Sequence, residues 1–121
     1  MARPLTLQDR ALIADFQPDS LSYYLHPDKN PLVGIVVDER LLSIAHSSRR
    51  TLHACELGID TLPEARRKGF ALAATIMWTN LILEENLAPI YSADASNTAS
   101  LGLAVHAGYQ SFARIALFSG K

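Results

Sequence analysis

The residues best placed to do chemistry lie in one run, Ile59-Asp60-Thr61-Leu62-Pro63-Glu64-Ala65-Arg66-Arg67-Lys68-Gly69-Phe70-Ala71. The segment before it, from Leu52 to Asp60, is apolar and partly alternating, as a half-buried strand should be. Pro63 lacks a backbone donor and stops the ladder. Gly69 lets the chain turn sharply and approach a ligand closely. From Phe70 to Leu87 the pattern is helical. A loop feeding a helix N-terminus presents unpaired N–H groups and the positive end of the helix dipole, which together suit a phosphate. Arg66, Arg67 and Lys68 add full positive charges. The same run also fits a plain solvated connection, so the loop by itself leaves both readings open.

Other reactive residue types are sparse. Cys55 is the single cysteine, so no internal disulfide can form. Its place in an apolar strand makes it a small buried hydrophobe, and the chain fits a reducing, cytoplasmic compartment. His46 and His53 fall on neighbouring expected strands and could pair across them. His106 lies on an expected helix, where a lone histidine is usually structural. No spacing suggests a zinc site.

The elements that must hold these residues emerge from pattern. At 121 residues the chain is one domain, 1–121, with a helical N-terminal part over 1–31 and a sheet core over 32–121. The net charge of −1 gives no basic excess for nucleic acid. No apolar run is long enough to span a membrane. Thr6 caps a short helix from Leu7 to Phe16, with Asp9 in its first turn. Pro18-Asp19-Ser20 breaks it, and Ser20 caps a second short turn through Tyr23 and Tyr24. After the turn-rich loop His26–Pro31, three strands form an antiparallel meander: Leu32 to Val37, Leu41 to Ser47, and one starting at Thr51 or Leu52.

The helix from Phe70 to Leu87 is apolar on nearly every side, with Phe70, Ala74, Met77 and Leu81 in one stripe and Leu72, Ile76 and Leu83 in another. Such a helix is buried on several sides. Either the N-terminal helices cover it, or a second copy of the chain does, through a dimer surface that includes Trp78. A strand from Ile90 to Ala95 comes next. Asn97 then caps a helix over Thr98–Ala107, with Gly108 as its C′ residue. Gly102 is unfavourable inside that helix and suggests close approach of a ligand or strand. A final strand runs from Gln110 to Phe118. A helical crossover after the third strand makes the next pairing parallel. The fold class is α+β with a mixed sheet.

Two motifs carry a family resemblance. Arg66-x-x-Gly69-x-Ala71, with Pro63 upstream, resembles the Arg/Gln-x-x-Gly-x-Gly/Ala signature of the GNAT N-acyltransferase superfamily. Asn97-x-x-Ser100-x-x-Leu103, followed by Gly108-Tyr109, resembles the family's later motif. Together they cover Leu52 to Phe118. The order of elements is GNAT-like with one departure: the family's first strand, ahead of the N-terminal helices, is missing from this reading. A trimmed chain, a minimal member or a strand borrowed from a partner would each account for that.

The resemblance implies binding of acetyl-CoA and no metal. In the family two parallel strands splay apart and pantetheine pairs with the exposed backbone. Carried over, Ile59, Asp60 and Thr61 offer that backbone. Arg66, Arg67, Lys68, Gly69, Phe70 and Ala71 hold the pyrophosphate, and Asn97 and Ser100 approach from the far strand. Arg67 stands where a small residue is common. The acceptor is an amine of a small molecule or peptide. An unperturbed lysine-type amine has a pKa near ~10.4 and must lose a proton before attack. Glu56, near the family's usual carboxylate position, is the candidate base, and a backbone N–H around Ile59 is the oxyanion donor. The family's tyrosine acid has no counterpart, because Ala104 stands there. That departure, with the short N-terminus, keeps a second reading in view: a non-catalytic CoA-binding or dimeric interaction module. A third is a structural domain whose loop binds nothing.

Overall fold

The computed structural model describes residues 2–92, 109–112 and 115–118. A first strand, β1, is present at Ala2–Leu5 and pairs antiparallel with β2, Leu32–Val37. This corrects the expectation of a missing first strand. Four residues containing Arg3 and Pro4 carry too little alternation to read as a strand, and a proline is tolerated there because β1 is an edge.

Thr6 caps the turn after β1, as expected. Its hydroxyl accepts from the Gln8 N–H at 3.2 Å, and the Asp9 carboxylate accepts from the Thr6 N–H at 2.9 Å. Arg3 clamps the same carboxylate at 2.9 Å and holds it below its ordinary pKa. A 3-10 turn at Leu7–Asp9 leads into α1, Arg10–Phe16, and a second turn at Pro18–Ser20 leads into α2, Leu21–Leu25. Ser20 makes no side-chain capping bond, because Pro18 already pre-sets the turn before it.

The meander is completed by β3, Arg40–Arg50, and β4, Ala54–Thr61. β3 is longer than expected because its polar end, Ser48-Arg49-Arg50, continues the ladder instead of turning. After α3, Phe70–Glu84, strand β5, Ala88–Ser92, lies parallel to β4, as the crossover requires. The expected last strand is two, β6 at Tyr109–Phe112 and β7 at Ile115–Phe118, and β7 pairs antiparallel with both β5 and β6. Ala113 and Arg114 between them carry no turn signal. The sheet order is β1-β2-β3-β4-β5-β7-β6. The expected helix over 98–107, with Asn97, Ser100, Gly102, Ala104, His106 and Gly108, lies outside the described residues.

The sheet has a core on each face. Val33, Ile35, Ala45, Cys55, Leu57, Ala74, Trp78, Ile82 and Tyr91 pack between sheet and α3. Leu5, Ile13, Phe16, Tyr24, Leu32, Leu41 and Ile44 pack beneath α1 and α2. The most buried residues of α3 are Ala74, Thr75, Trp78, Thr79 and Ile82, and the stripe residues Phe70, Leu72, Met77 and Leu81 pack against the core partly buried, so the helix is covered on more than one side as expected. Trp78 is fully buried against the sheet, so it does not lie on a dimer surface. A uniformly apolar helix gives no moment by which sequence can choose its inward side. Cys55 is buried as expected, and its thiol donates to Ser47 Oγ at 3.0 Å.

Candidate functional site

Strand β4 is where the site is made. Its pairing with β5 covers only Ala54↔Ala88, Cys55↔Pro89 and Glu56↔Ile90, yet β4 runs on to Thr61. Beyond Glu56 no pairing joins the two strands among the described residues. A bulge in the β3–β4 ladder, between Ser47 and Arg49, sits at that same level, and bulges bend strands. The edge of β4 that faces the gap is therefore exposed.

Register decides which backbone groups face it. The Leu62 N–H donates to Leu42 O at 3.0 Å, toward β3. Backbone groups alternate along a strand. Those of Gly58 and Asp60 therefore also point toward β3, whereas those of Ile59 and Thr61 point into the gap. Arg66 Nε reaches the Thr61 carbonyl from that side at 3.4 Å. Of the three residues expected to offer backbone, Ile59 and Thr61 turn theirs to the gap and Asp60 turns its own toward β3.

A cleft of about 610 Å³ follows the gap and continues to the start of α3. Ile59, Asp60, Thr61, Arg66, Arg67, Gly69, Phe70 and Ala71 line it. Lys68 does not. The turn uses two left-handed residues, Arg67 at φ 64° and Gly69 at φ 79°. For arginine that conformation is uncommon, and it is the physical reason a small residue would suit the position. A Cβ placed on Gly69 would meet nothing within 4 Å and would project into open space. No side chain caps α3, and its first backbone bond is Ala73 N–H to Gly69 O at 3.1 Å. The N–H groups of Phe70, Ala71 and Leu72 precede that bond and are free for an anion. Exposed backbone along β4, a bare helix start and two arginines fit an elongated ligand that ends in phosphate. Among the described residues, no group of three His, Cys, Asp or Glu could hold a metal, and no helix is long and apolar enough to cross a membrane.

Glu56 is elsewhere. It bonds Arg49 at 3.3 Å and the Ser48 hydroxyl at 3.2 Å, and it lines neither this cleft nor the cavity beside it. It shares a strand face with Asp60 but stands four residues away, about 13 Å along an extended chain.

The neighbouring cavity, about 380 Å³, shares Gln17, Ile59 and Asp60 with the cleft and adds Ser20, Tyr23, Tyr24, His46 and Gly58. His46 does not pair with His53. It faces Gly58 across the ladder, while His53 lies in the turn before β4. The imidazole rests directly on Gly58: a Cβ there would come within 2.4 Å of Nε2. Tyr23 and Tyr24 stand edge-on to the ring at 5.3 and 5.4 Å. Nε2 and the Tyr23 hydroxyl are 2.9 Å apart, and Nδ1 faces Asp60 Oδ2 at 4.0 Å. Burial holds the His46 pKa down at about 4, against an opposing pull from Asp60, so the ring is neutral at pH 7 and the contact is not an ion pair. Burial also raises the Tyr24 hydroxyl, which donates to Asp60 Oδ2 at 2.7 Å.

Sequence reasoning missed this cluster. Gly58 was the available signal, since a glycine inside a strand marks a close approach of something to the backbone.

A family model described as GNAT acetyltransferase matches residues 30–116. No curated protein sequence matches the chain. Among solved structures, the ribosomal-protein-S18-alanine N-acetyltransferase from Escherichia coli is similar at TM-score 0.74 and 13% identity, covering 100% of this chain and 95% of that one. The ribosomal-protein-alanine N-acetyltransferase from Brucella melitensis gives 0.68 and 17%, covering 97% and 96%. An N-acetyltransferase from Staphylococcus aureus gives 0.71 and 15%, covering 97% and 93%. At these identities the structures show a shared fold. The family match spans most of the chain, and it includes the β4 edge, the basic turn and the start of α3: the chain belongs to the GNAT acetyltransferase family.

Proposed function

We propose that the protein transfers an acetyl group from acetyl-CoA to an amine of a small molecule or peptide. The observation that carries this reading is the parting of β4 from β5 after Glu56, beside a cleft that ends at an uncapped helix start. The backbone groups of Ile59 and Thr61 hold the pantetheine arm as an added strand would. The pyrophosphate rests on N–H groups between Arg66 and Ala71, with Arg66 and Arg67 supplying charge. Asn97 and Ser100 complete the cofactor site, as the family resemblance implies. The Ile59 N–H, facing the gap, stabilises negative charge on the thioester oxygen. An acceptor reaching Ile59 from the α1–α2 face meets Asp60 before it meets Glu56. Glu56 therefore serves as base only through intervening water.

The reading places the protein in the cytoplasm and requires no metal. A homodimer through α3 would use exposed Ile76 and its neighbours, since Trp78 is covered. The test is titration with acetyl-CoA followed by an amine panel. Binding with transfer supports the proposal; binding without transfer to any amine would identify a CoA-binding module instead.

A further inference from the structure

We propose that the cavity walled by Gln17, Tyr23, Tyr24, His46 and Asp60 is the seat of the acceptor's ammonium group, with Asp60 as its counter-ion and His46 as the residue that positions Asp60. The inference rests on the acetyl-transfer reading for its consequence, and on separate observations for its content.

Three half-buried carboxylates occur among the described residues: Asp9, Glu56 and Asp60. Asp9 is paired with Arg3, and Glu56 with Arg49. Asp60 meets no arginine or lysine among the described residues. Its neighbours are a neutral imidazole and the Tyr24 hydroxyl, both on Oδ2. Oδ1 has no partner among the described residues, and the side chain is 42% exposed. A carboxylate held by one oxygen and open at the other, within a cavity, suits a cation.

The walls agree with that choice. Tyr23 and Tyr24 stand edge-on to each other with centroids 5.3 Å apart; Tyr24 is buried and offers its hydroxyl through Asp60, while Tyr23, partly exposed, offers an aromatic ring of the kind that attracts cations. Tyr23 already takes one: Lys29 Nζ lies 4.6 Å from its centroid while donating to the Ser48 carbonyl. The Gln17 side-chain oxygen, 3.4 Å from the Tyr24 hydroxyl whose proton goes to Asp60, adds a further acceptor. An anion would find no donor of full charge lining this cavity. Because Ile59 and Asp60 line both cavities, an ammonium at Asp60 lies next to the backbone where the thioester would sit.

His46 matters through Asp60. Its ring is fixed by the floor of Gly58 and by Tyr23, and its Nδ1 is buried with no hydrogen-bond partner among the described residues. That atom faces Oδ2 and limits where the carboxylate can swing.

The probe is ethylammonium chloride, with sodium chloride at equal ionic strength as control, read by NMR of the tyrosine rings and aspartate carboxyls. Saturable shifts at Tyr23, Tyr24 and Asp60 are expected. Asp60→Asn should weaken the apparent affinity at least about tenfold, and Tyr23→Leu, at a partly exposed position, about threefold. Gly69→Glu, which obstructs the cleft alone, should leave the shifts intact. With primary amines as substrates (an alanyl peptide, lysine, a diamine), Asp60→Asn should raise the amine KM at least about tenfold and leave the acetyl-CoA KM within about twofold. His46→Gln should raise the amine KM without a matching fall in kcat. Absence of ethylammonium shifts, or shifts unaltered by Asp60→Asn and Tyr23→Leu, would overturn the proposal. Intact shifts in a protein that does not bind acetyl-CoA would leave this cavity standing and overturn the transferase reading alone.

Discussion

Acid should destabilise this protein through His46, over a window set by burial. The imidazole is 4% exposed and has its pKa held at about 4, against 6.5 for the free side chain. Between those two values the unfolded chain binds a proton that the folded chain refuses. Folding free energy is therefore complete above pH 6.5, declines as the pH falls through the window, and levels off for this group below about pH 4. The interval is 6.5 − 4, or 2.5 units. At about 1.36 kcal/mol per unit the loss is about 3 kcal/mol, a large part of the ~5–15 kcal/mol that holds a domain together. The groups facing the ring are Asp60, Lys29, Tyr23 and Tyr24. Asp60 raises the His46 pKa and Lys29 lowers it. Asp60→Asn should therefore widen the window, and Lys29→Met should narrow it. Urea unfolding from about pH 7.5 to about pH 4.5 measures the effect. The predicted result is a falling stability in the native protein and a nearly flat line in His46→Gln, which keeps a polar partner for Tyr23 but cannot titrate. Equal slopes in the two proteins would refute the reasoning.

Two further substitutions probe the same strand. Gly58→Ala places a methyl 2.4 Å from His46 Nε2, so the ring must move and its bond to Tyr23 must stretch. Overpacking of this kind costs about 1–3 kcal/mol, which thermal unfolding will register as a drop of several degrees; a protein as stable as the native one would show that the ring is not seated on Gly58. Glu56→Gln removes an ion pair whose arginine is 84% exposed. Its effect on stability should be under about 1 kcal/mol, whereas kcat should fall about a hundredfold with acetyl-CoA affinity kept. Transfer within about twofold of the native rate would remove Glu56 from the proton path.

The cleft and the turn into α3 were legible because the signals for them are local. A strand, a proline, a basic turn, a glycine and an apolar helix stand in one continuous run from Ile59 to Ala71, and the binding proposed there uses backbone N–H groups whatever the side chains are. Thr6 and Asp9 were readable for the same reason, since a cap involves residues three apart. The neighbouring cavity was not legible. Tyr23, Tyr24, His46, Gly58 and Asp60 meet only because α2 packs over the β3–β4 ladder, and register decides which strand residues share a face. Register also turned the Asp60 backbone toward β3 and set Glu56 beside Arg49. Strand β1 escaped notice because four edge residues with a proline carry almost no pattern. The inward side of α3 escaped because every side is apolar.

The central claim is that the opening between β4 and β5, with the turn into α3, binds acetyl-CoA. Calorimetric titration of the purified protein with acetyl-CoA tests it most directly, beside Gly69→Glu and Ala71→Glu. Both variants put a carboxylate where the pyrophosphate would lie, and Ala71→Glu does so without straining a left-handed residue. The account predicts saturable binding that both variants weaken by at least about a hundredfold. No binding by the folded native protein, or equal binding by both variants, would contradict it.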